Sequence, residues 1–219
     1  ASLGQMDRAV ALFDRMRTRW KVDVDVGVYE SLVRACGKTG NLRVLAPLMY
    51  HMELAGLKPP LRVLNCVVHA CARNGDIERA EAAFTAIEAQ HSLKPDGATF
   101  GSLALAYHDA DVLRVLDLMD ERGFEPADAR VHTTVMDVLG RAGLVDDVAR
   151  VWDKMLGMGM SPNAEAYAAA AHAMLAGDRI EEASSLLERA RAEGLRPVTR
   201  TINTSLRLAD TQLKGGGSA

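Results

Sequence analysis

A block of about 35 residues keeps returning along this chain, each copy closing on Gly-x-x-Pro or a near variant of it. The closings are Gly56-Leu57-Lys58-Pro59, Gly123-Phe124-Glu125-Pro126, Gly159-Met160-Ser161-Pro162 and Gly194-Leu195-Arg196-Pro197, with Leu93-Lys94-Pro95-Asp96 filling the same slot after one inserted residue. Units of this length bury their apolar faces only by stacking on one another, so the chain is predicted to be a solenoid with a long concave surface. Function is therefore sought in which residue occupies which place of the repeat, not in an enclosed pocket.

Within a block the first segment is typified by Tyr29 to Lys38, ending at Gly40, and the second by Ile77 to Ile87. Apolar residues in them recur three and four apart, the spacing of one helical face. Gly40, Gly75 and Gly143 each stand fifteenth in their block, where a helix needs a left-handed or tightly turned stop. The second segment opens on acidic residues, Asp76 and Glu78, Asp146 and Asp147, Glu181 and Glu182, which suits the positive end of a helix dipole. Alanine at the twentieth place, Ala80 and Ala183, with Ala9 in the opening fragment, lets neighbouring helices approach closely. The closing Gly and Pro end the second helix. The predicted unit is helix, turn, helix.

Counting back from the closings predicts whole units at 26–60, 61–96, 97–128, 129–163 and 164–198. Residues 1–25 supply the second helix of an incomplete unit, Gly4 to Met16 with Ala9 and Phe13 on its apolar stripe, and then an irregular joint holding Trp20. Residues 199–213 supply a first helix alone, and 214–219 a flexible tail. The 97–128 unit lacks about four residues and the usual glycine between Tyr107 and Val112, so a clipped helix or a local change of superhelical twist is expected there. Because the chain opens at Ala1 inside a repeat, no targeting peptide is expected in it.

Composition removes several function classes. A net charge of −3 argues against a non-specific, strongly basic nucleic-acid binder, so any polyanion contact must come from a local patch. Such a patch exists: the first segments are net positive and the second segments net negative. Three cysteines, Cys36, Cys66 and Cys71, form no CxxC pair and read as small core residues in a reducing compartment. The six histidines are scattered over different units, and His69 between Cys66 and Cys71 lacks a helical metal spacing, so no metal and no cofactor is expected. No phosphate-binding glycine loop and no supported Ser/His/Asp grouping occurs, so the chain is not expected to be an enzyme. No run of eighteen apolar residues occurs, and no membrane span is expected. Trp152, and Met155, Met158 and Met160 beyond it, read as packing residues, and Trp20 as core or as a cap on the stack.

The order from Thr133 to Met155, followed by Gly159 and Pro162-Asn163, resembles a P-type pentatricopeptide repeat (PPR). The 61–96 unit matches it through Asn65, Arg73-Asn74-Gly75, Ala80, Phe84 and Lys94-Pro95-Asp96. Tetratricopeptide repeats also pair helices, but their Trp/Leu-Gly/Tyr signature is missing here. The resemblance runs in register over nearly the whole chain. It implies an all-α fold, a right-handed α-solenoid of helix-turn-helix repeats, and binding of organellar single-stranded RNA with one base per repeat along a groove lined by first helices.

In that family the fifth and last places choose the base, the second place sandwiches it, and a basic thirteenth place meets phosphate. Carried over, the resemblance makes Asn65 with Asp96 a pair for uracil and Thr133 with Asn163 a pair for adenine, while Asn203 stands fifth in the terminal half-unit without a partner. Glu30 with Pro60, Gly101 with Asp128, and Ala168 with Val198 depart from the pattern and are not usable pairs. The second place holds Arg62, Arg130 and Arg200, whose guanidinium groups suit stacking on a base face. Lys38, Arg73 and Arg141 fall at the thirteenth place, one turn after Arg34 or His69 in the first two units.

The resemblance extends to short plastid PPR proteins associated with group II intron splicing. It implies a chloroplast protein, with the mitochondrion as the alternative, that holds an organellar intron or transcript. With only two readable pairs, sequence selection would call on an RNA-dependent homodimer, RNA shape or protein splicing partners. The competing expectation is a protein-interaction scaffold without RNA binding, suggested by the acidic balance and the departed pairs.

Overall fold

The computed structural model describes residues 24–125 and 129–195, together with residues 8, 11–13, 15 and 19 of the opening fragment. Ala9, Trp20, Asp128, Val198, Arg200, Asn203, the 199–213 helix and the 214–219 tail lie outside the described residues. Among the described residues no strand occurs. The helices are α1 (Val26–Thr39), α2 (Leu42–Leu54), α3 (Leu61–Arg73), α4 (Ile77–Ala89) and α5 (Gly97–Ala104), then a 3-10 turn (Ala110–Leu113), α6 (Arg114–Glu121), α7 (Arg130–Arg141), α8 (Val145–Gly157), α9 (Ala164–Ala176) and α10 (Ile180–Ala192). None of them is long and apolar enough to cross a membrane.

Short polar side chains start several of these helices by satisfying a backbone donor that the first turn leaves orphaned. Asp25 accepts from the Val28 N–H at 3.0 Å, Asp76 from the Arg79 N–H at 3.0 Å and Asn163 from the Ala166 N–H at 2.8 Å. Helix α1 stops at Gly40, whose φ of 69° is open to glycine and strained for most other residues. At the matching place after α9 it is Asp178 that adopts the left-handed conformation, with φ 64°. The slot of a closing glycine is taken after α4 by Ser92, with φ 54°, and the inserted residue widens the turn: the Leu93 N–H reaches back to the Ile87 carbonyl at 3.0 Å, one residue further than the Leu57 N–H reaches to Met52 at 3.1 Å.

The chain divides into two compact units, residues 1–106 and 107–219. In the first, α1, α3 and α5 lie side by side, and α2 and α4 each pack on the first helix that precedes them. Tyr29, Val33, Leu45, Leu48, Met52 and Val63 form its core, with Phe13 edge-on to Tyr29 at 5.2 Å and Phe84 tilted against Phe100 at 5.3 Å. Full burial of side chains of this size contributes about 1.5–3 kcal/mol each. Ala80, fully buried, allows the close packing of α4.

In the second unit α7 packs on α9, α8 lies against both, and α10 packs on α9. The core here is Val135, Met136, Leu139, Met155, Ala170 and Ala183, with Trp152 tilted against Tyr167 at 5.0 Å. Trp152 is thus a packing residue, as its pattern predicted.

First helices approach one another closely at the twelfth place of two blocks, where Gly37 and Gly140 stand. A Cβ built on Gly37 would stand 3.1 Å from the Cys66 carbonyl oxygen, and one on Gly140 would stand 2.9 Å from the Ala173 Cβ. Further along, the Asn74 amide donates to the Gly40 carbonyl at 2.6 Å and to the Ala70 carbonyl at 2.7 Å, tying one turn to the turn before it.

The pair α5 and α6 is clipped. Each has 8 residues against 13 in α3 and α4. At 1.5 Å per residue α5 is about 12 Å long and α3 about 20 Å. Helix α5 therefore ends before it reaches the place where Lys38 and Arg73 stand. Asp109 caps the intervening 3-10 turn by accepting from the Asp111 N–H at 3.0 Å. The limit between the two compact units, after Ala106, falls in this shortened stretch.

Candidate nucleic-acid interface

The row of first helices in the first compact unit positions half of the expected contact residues. Between α1, α3 and α5 lies a cleft of about 240 Å³ lined by Arg34, Lys38, Asn65, Cys66, His69 and Ser102. Arg34 and Lys38 are exposed, one turn apart on α1, and Arg73 is exposed one turn after His69 on α3. Burial, reinforced by Arg73, holds the His69 imidazole below its usual value, so it stands neutral with one donor and one acceptor. Burial also pushes the Cys66 thiol up, with Arg34 and Lys38 opposing it. Cys36 and Cys71 are buried in the core, and burial raises the Cys36 thiol to about 11.

Asn65 and Asp96 meet. The Asn65 Nδ2 donates to Asp96 Oδ1 at 3.0 Å, and the Thr99 N–H donates to the same oxygen at 2.9 Å. The Thr99 hydroxyl accepts from the Asp96 N–H at 3.0 Å and lies 2.6 Å from Asn65 Oδ1, to which it donates. Burial works against the Asp96 charge, but the bonds from the Thr99 N–H, the Asn65 amide and the Ala98 N–H outweigh it and hold the carboxyl below its ordinary value. Asp96 is therefore an acceptor throughout the physiological range, and one Asn65 N–H remains beside it as a donor.

Arg62 is engaged differently from what its place implied. Its guanidinium lies 2.5 Å from the Glu30 carboxylate, joining the second place of one block to the fifth place of the block before. Glu30, whose pairing with Pro60 departs from the family's pattern, is neutralised by this neighbour. The Arg62 side chain stays 66% exposed, so solvent screens the pair.

In the second compact unit Thr133 and Asn163 do not form a joined pair. The Thr133 hydroxyl donates to the Ala129 carbonyl at 2.8 Å, and Asn163 is occupied as the cap of α9. Arg141 is exposed but held by Asp137, at 3.0 Å through the side chain and 3.2 Å through the carbonyl. Arg130 opens α7 and is exposed. Arg200 and Asn203 lie outside the described residues.

Sequence reasoning missed Thr99 and Ser102. Thr99 is fully buried and is third in its block, a place given no role; the Asp-x-x-Thr spacing of a capping box at 96–99 was the signal that could have found it.

Rows of first helices, each backed by a second helix, define an α-solenoid repeat protein with a polar, locally basic face. Residues 1–20, 62–88 and 130–160 match the PPR repeat model. The chain is 25% identical to a pentatricopeptide repeat-containing protein of Arabidopsis thaliana over 79% of its own length and 20% of that protein's. It is 27% identical to the mitochondrial 15S rRNA processing factor ppr3 of Schizosaccharomyces japonicus, covering 69% of this chain and 23% of the relative. Among solved structures, maize PPR10 superposes with a TM-score of 0.71 at 28% identity, over 95% of this chain and 30% of that one. PPR10 in complex with an 18-nt psaJ RNA element gives 0.69 at 25% identity, over 96% and 32%. The chain thus carries stretches that match the pentatricopeptide repeat, and it spans under a third of the length of each of these relatives.

Proposed function

We propose that this chain binds single-stranded RNA along the face of its first helices and supports maturation of an organellar transcript. The observation that carries the reading is the cleft between α1, α3 and α5, where Arg34 and Lys38 of α1 line the same space as Asn65, which is itself hydrogen-bonded to Asp96. Cations placed around a polar, edge-reading pair are what a strand with a charged backbone and exposed bases requires. The likeness to PPR10, solved with an RNA element, and to an rRNA processing factor supports this choice of ligand.

In the finer reading the RNA is a group II intron, the step is splicing, and the compartment is the chloroplast, with the mitochondrion as the alternative; relatives carry both chloroplastic and mitochondrial names. Each block at 26–60, 61–96, 97–128, 129–163 and 164–198 offers one base position. Asn65 with Asp96 selects uracil, and Thr133 with Asn163 selects adenine less strongly because each is engaged within its own helix. Arg130 and Arg200 stack on bases, and Asn203 reads one more. Remaining specificity comes from an RNA-dependent homodimer or from protein splicing partners.

The engagement of Arg62 by Glu30 and of Arg141 by Asp137 favours the second reading, a protein scaffold without RNA binding. Fluorescent single-stranded RNA titrated across a salt series separates the two. With about three phosphate contacts, log affinity falls against log salt with a slope near −2. Replacing Lys38, Arg73 and Arg141 by glutamate should abolish that binding; a scaffold would show no saturable RNA binding at low salt in either form.

A further inference from the structure

The hydrogen bonds around Asn65 divide unevenly. Its Nδ2 carries two hydrogens, of which one goes to Asp96. Its Oδ1 is met by the Thr99 hydroxyl at 2.6 Å, the shortest bond in the group. That hydroxyl has one proton. Asp96 Oδ1, 2.9 Å away, already receives the Asn65 amide and the Thr99 N–H, so the proton serves Asn65. Thr99 is fully buried on the first turn of α5, and its oxygen is fixed from behind by the Asp96 N–H.

We propose that Thr99 is a positioning residue that makes Asn65 a one-sided donor, and so sets which base edge the Asn65–Asp96 pair accepts. This rests on the base-reading role proposed above for that pair. With Oδ1 capped and one N–H held by Asp96, the amide cannot turn over, and the remaining N–H stands beside a carboxylate that only accepts. The pair then suits a pyrimidine edge offering an acceptor next to an N–H donor, as uracil does. Without the hydroxyl, Oδ1 is open to outside donors and the amide rotates, so the exocyclic amine of cytosine becomes acceptable. Thr99 touches no base itself and acts through Asn65.

The test uses the whole chain and short oligo-adenosine RNAs carrying one internal uridine or cytidine. Thr99→Val should lower the uridine-over-cytidine preference by about tenfold, while Thr99→Ser, which keeps the hydroxyl, should restore it. Asn65→Ala should lose the preference outright. In the free protein, the two Asn65 side-chain amide protons should exchange slowly in wild type and Thr99→Ser and fast in Thr99→Val. Preference kept in Thr99→Val but lost in Asn65→Ala overturns the role of Thr99 and leaves base reading standing. Slow amide exchange kept in Thr99→Val also overturns it. Equal binding of both RNAs by wild type and Asn65→Ala removes base reading itself, and the proposal with it.

Discussion

Gly140 of α7 faces Ala173 of α9 so closely that a Cβ on the glycine would lie 2.9 Å from the alanine's own Cβ. Both atoms would be anchored directly to backbone, so neither could turn aside. Gly140→Ala is expected to destabilise the protein by about 1–3 kcal/mol, although alanine favours a helix by about 1 kcal/mol over glycine. Urea unfolding of the variant beside Gly157→Ala, where an added Cβ meets nothing within 4 Å, checks this; equal midpoints would remove the close approach as a determinant of packing.

His132 occupies the fourth place of its block, where Tyr29, Phe100 and Tyr167 are buried aromatics, and its Nδ1 is buried without a hydrogen-bond partner. Burial, and then Lys154, lower its pKa below the ordinary 6.5, with Asp120 opposing. The unfolded chain thus binds this proton more readily than the folded one, and stability falls as pH drops through about 6.5. His132→Phe should stabilise the protein by about 1 kcal/mol near neutral pH and flatten this part of the profile. Thermal melts from pH 7.5 down to pH 5 would show it; a slope unchanged in the variant would place the proton elsewhere.

Ser92 sits at φ 54°, in the place other closings give to glycine. A left-handed conformation costs a non-glycine residue about 1–2 kcal/mol. Ser92→Gly is expected to stabilise the protein by up to about 1 kcal/mol, after the greater freedom of glycine in the unfolded chain is set against the relief. A denaturant midpoint that moves down would refute it.

Glu30 holds Arg62 at 2.5 Å on the face proposed to bind RNA. Glu30→Gln removes a negative charge and releases the guanidinium, and should raise RNA affinity by about fivefold at low salt, with the gain fading as salt screens it. Fluorescence titrations at low and high salt decide the matter. A loss of affinity would mean that the ion pair itself forms part of the binding surface.

The all-α repeat architecture was legible because its signals are local. Glycine and proline constrain the backbone where they stand, as Gly40 does at φ 69°, and apolar spacing marks one helical face. The clipped α5 was legible for the same reason, as missing residues between Tyr107 and Val112. The site was harder. That Asn65 meets both Asp96 and Thr99 follows from the packing of α5 against α3, which periodicity does not encode. The partner of Arg62 depends on which residue of the preceding block lies within reach, and place-by-place reading treats the blocks as independent. That Ser92 takes the glycine's place was not legible, because a left-handed serine carries no mark in sequence.

Helices α1 and α3 meet at three levels: Glu30 with Arg62 near their starts, Gly37 in the last turn of α1 against Cys66 midway along α3, and Gly40 with Asn74 just past their ends. Contacts at three levels along their length hold two rods against sliding past each other. The junction therefore keeps the step from one block to the next constant. A polymer laid across it would meet an unchanging interval, however the rest of the chain bends.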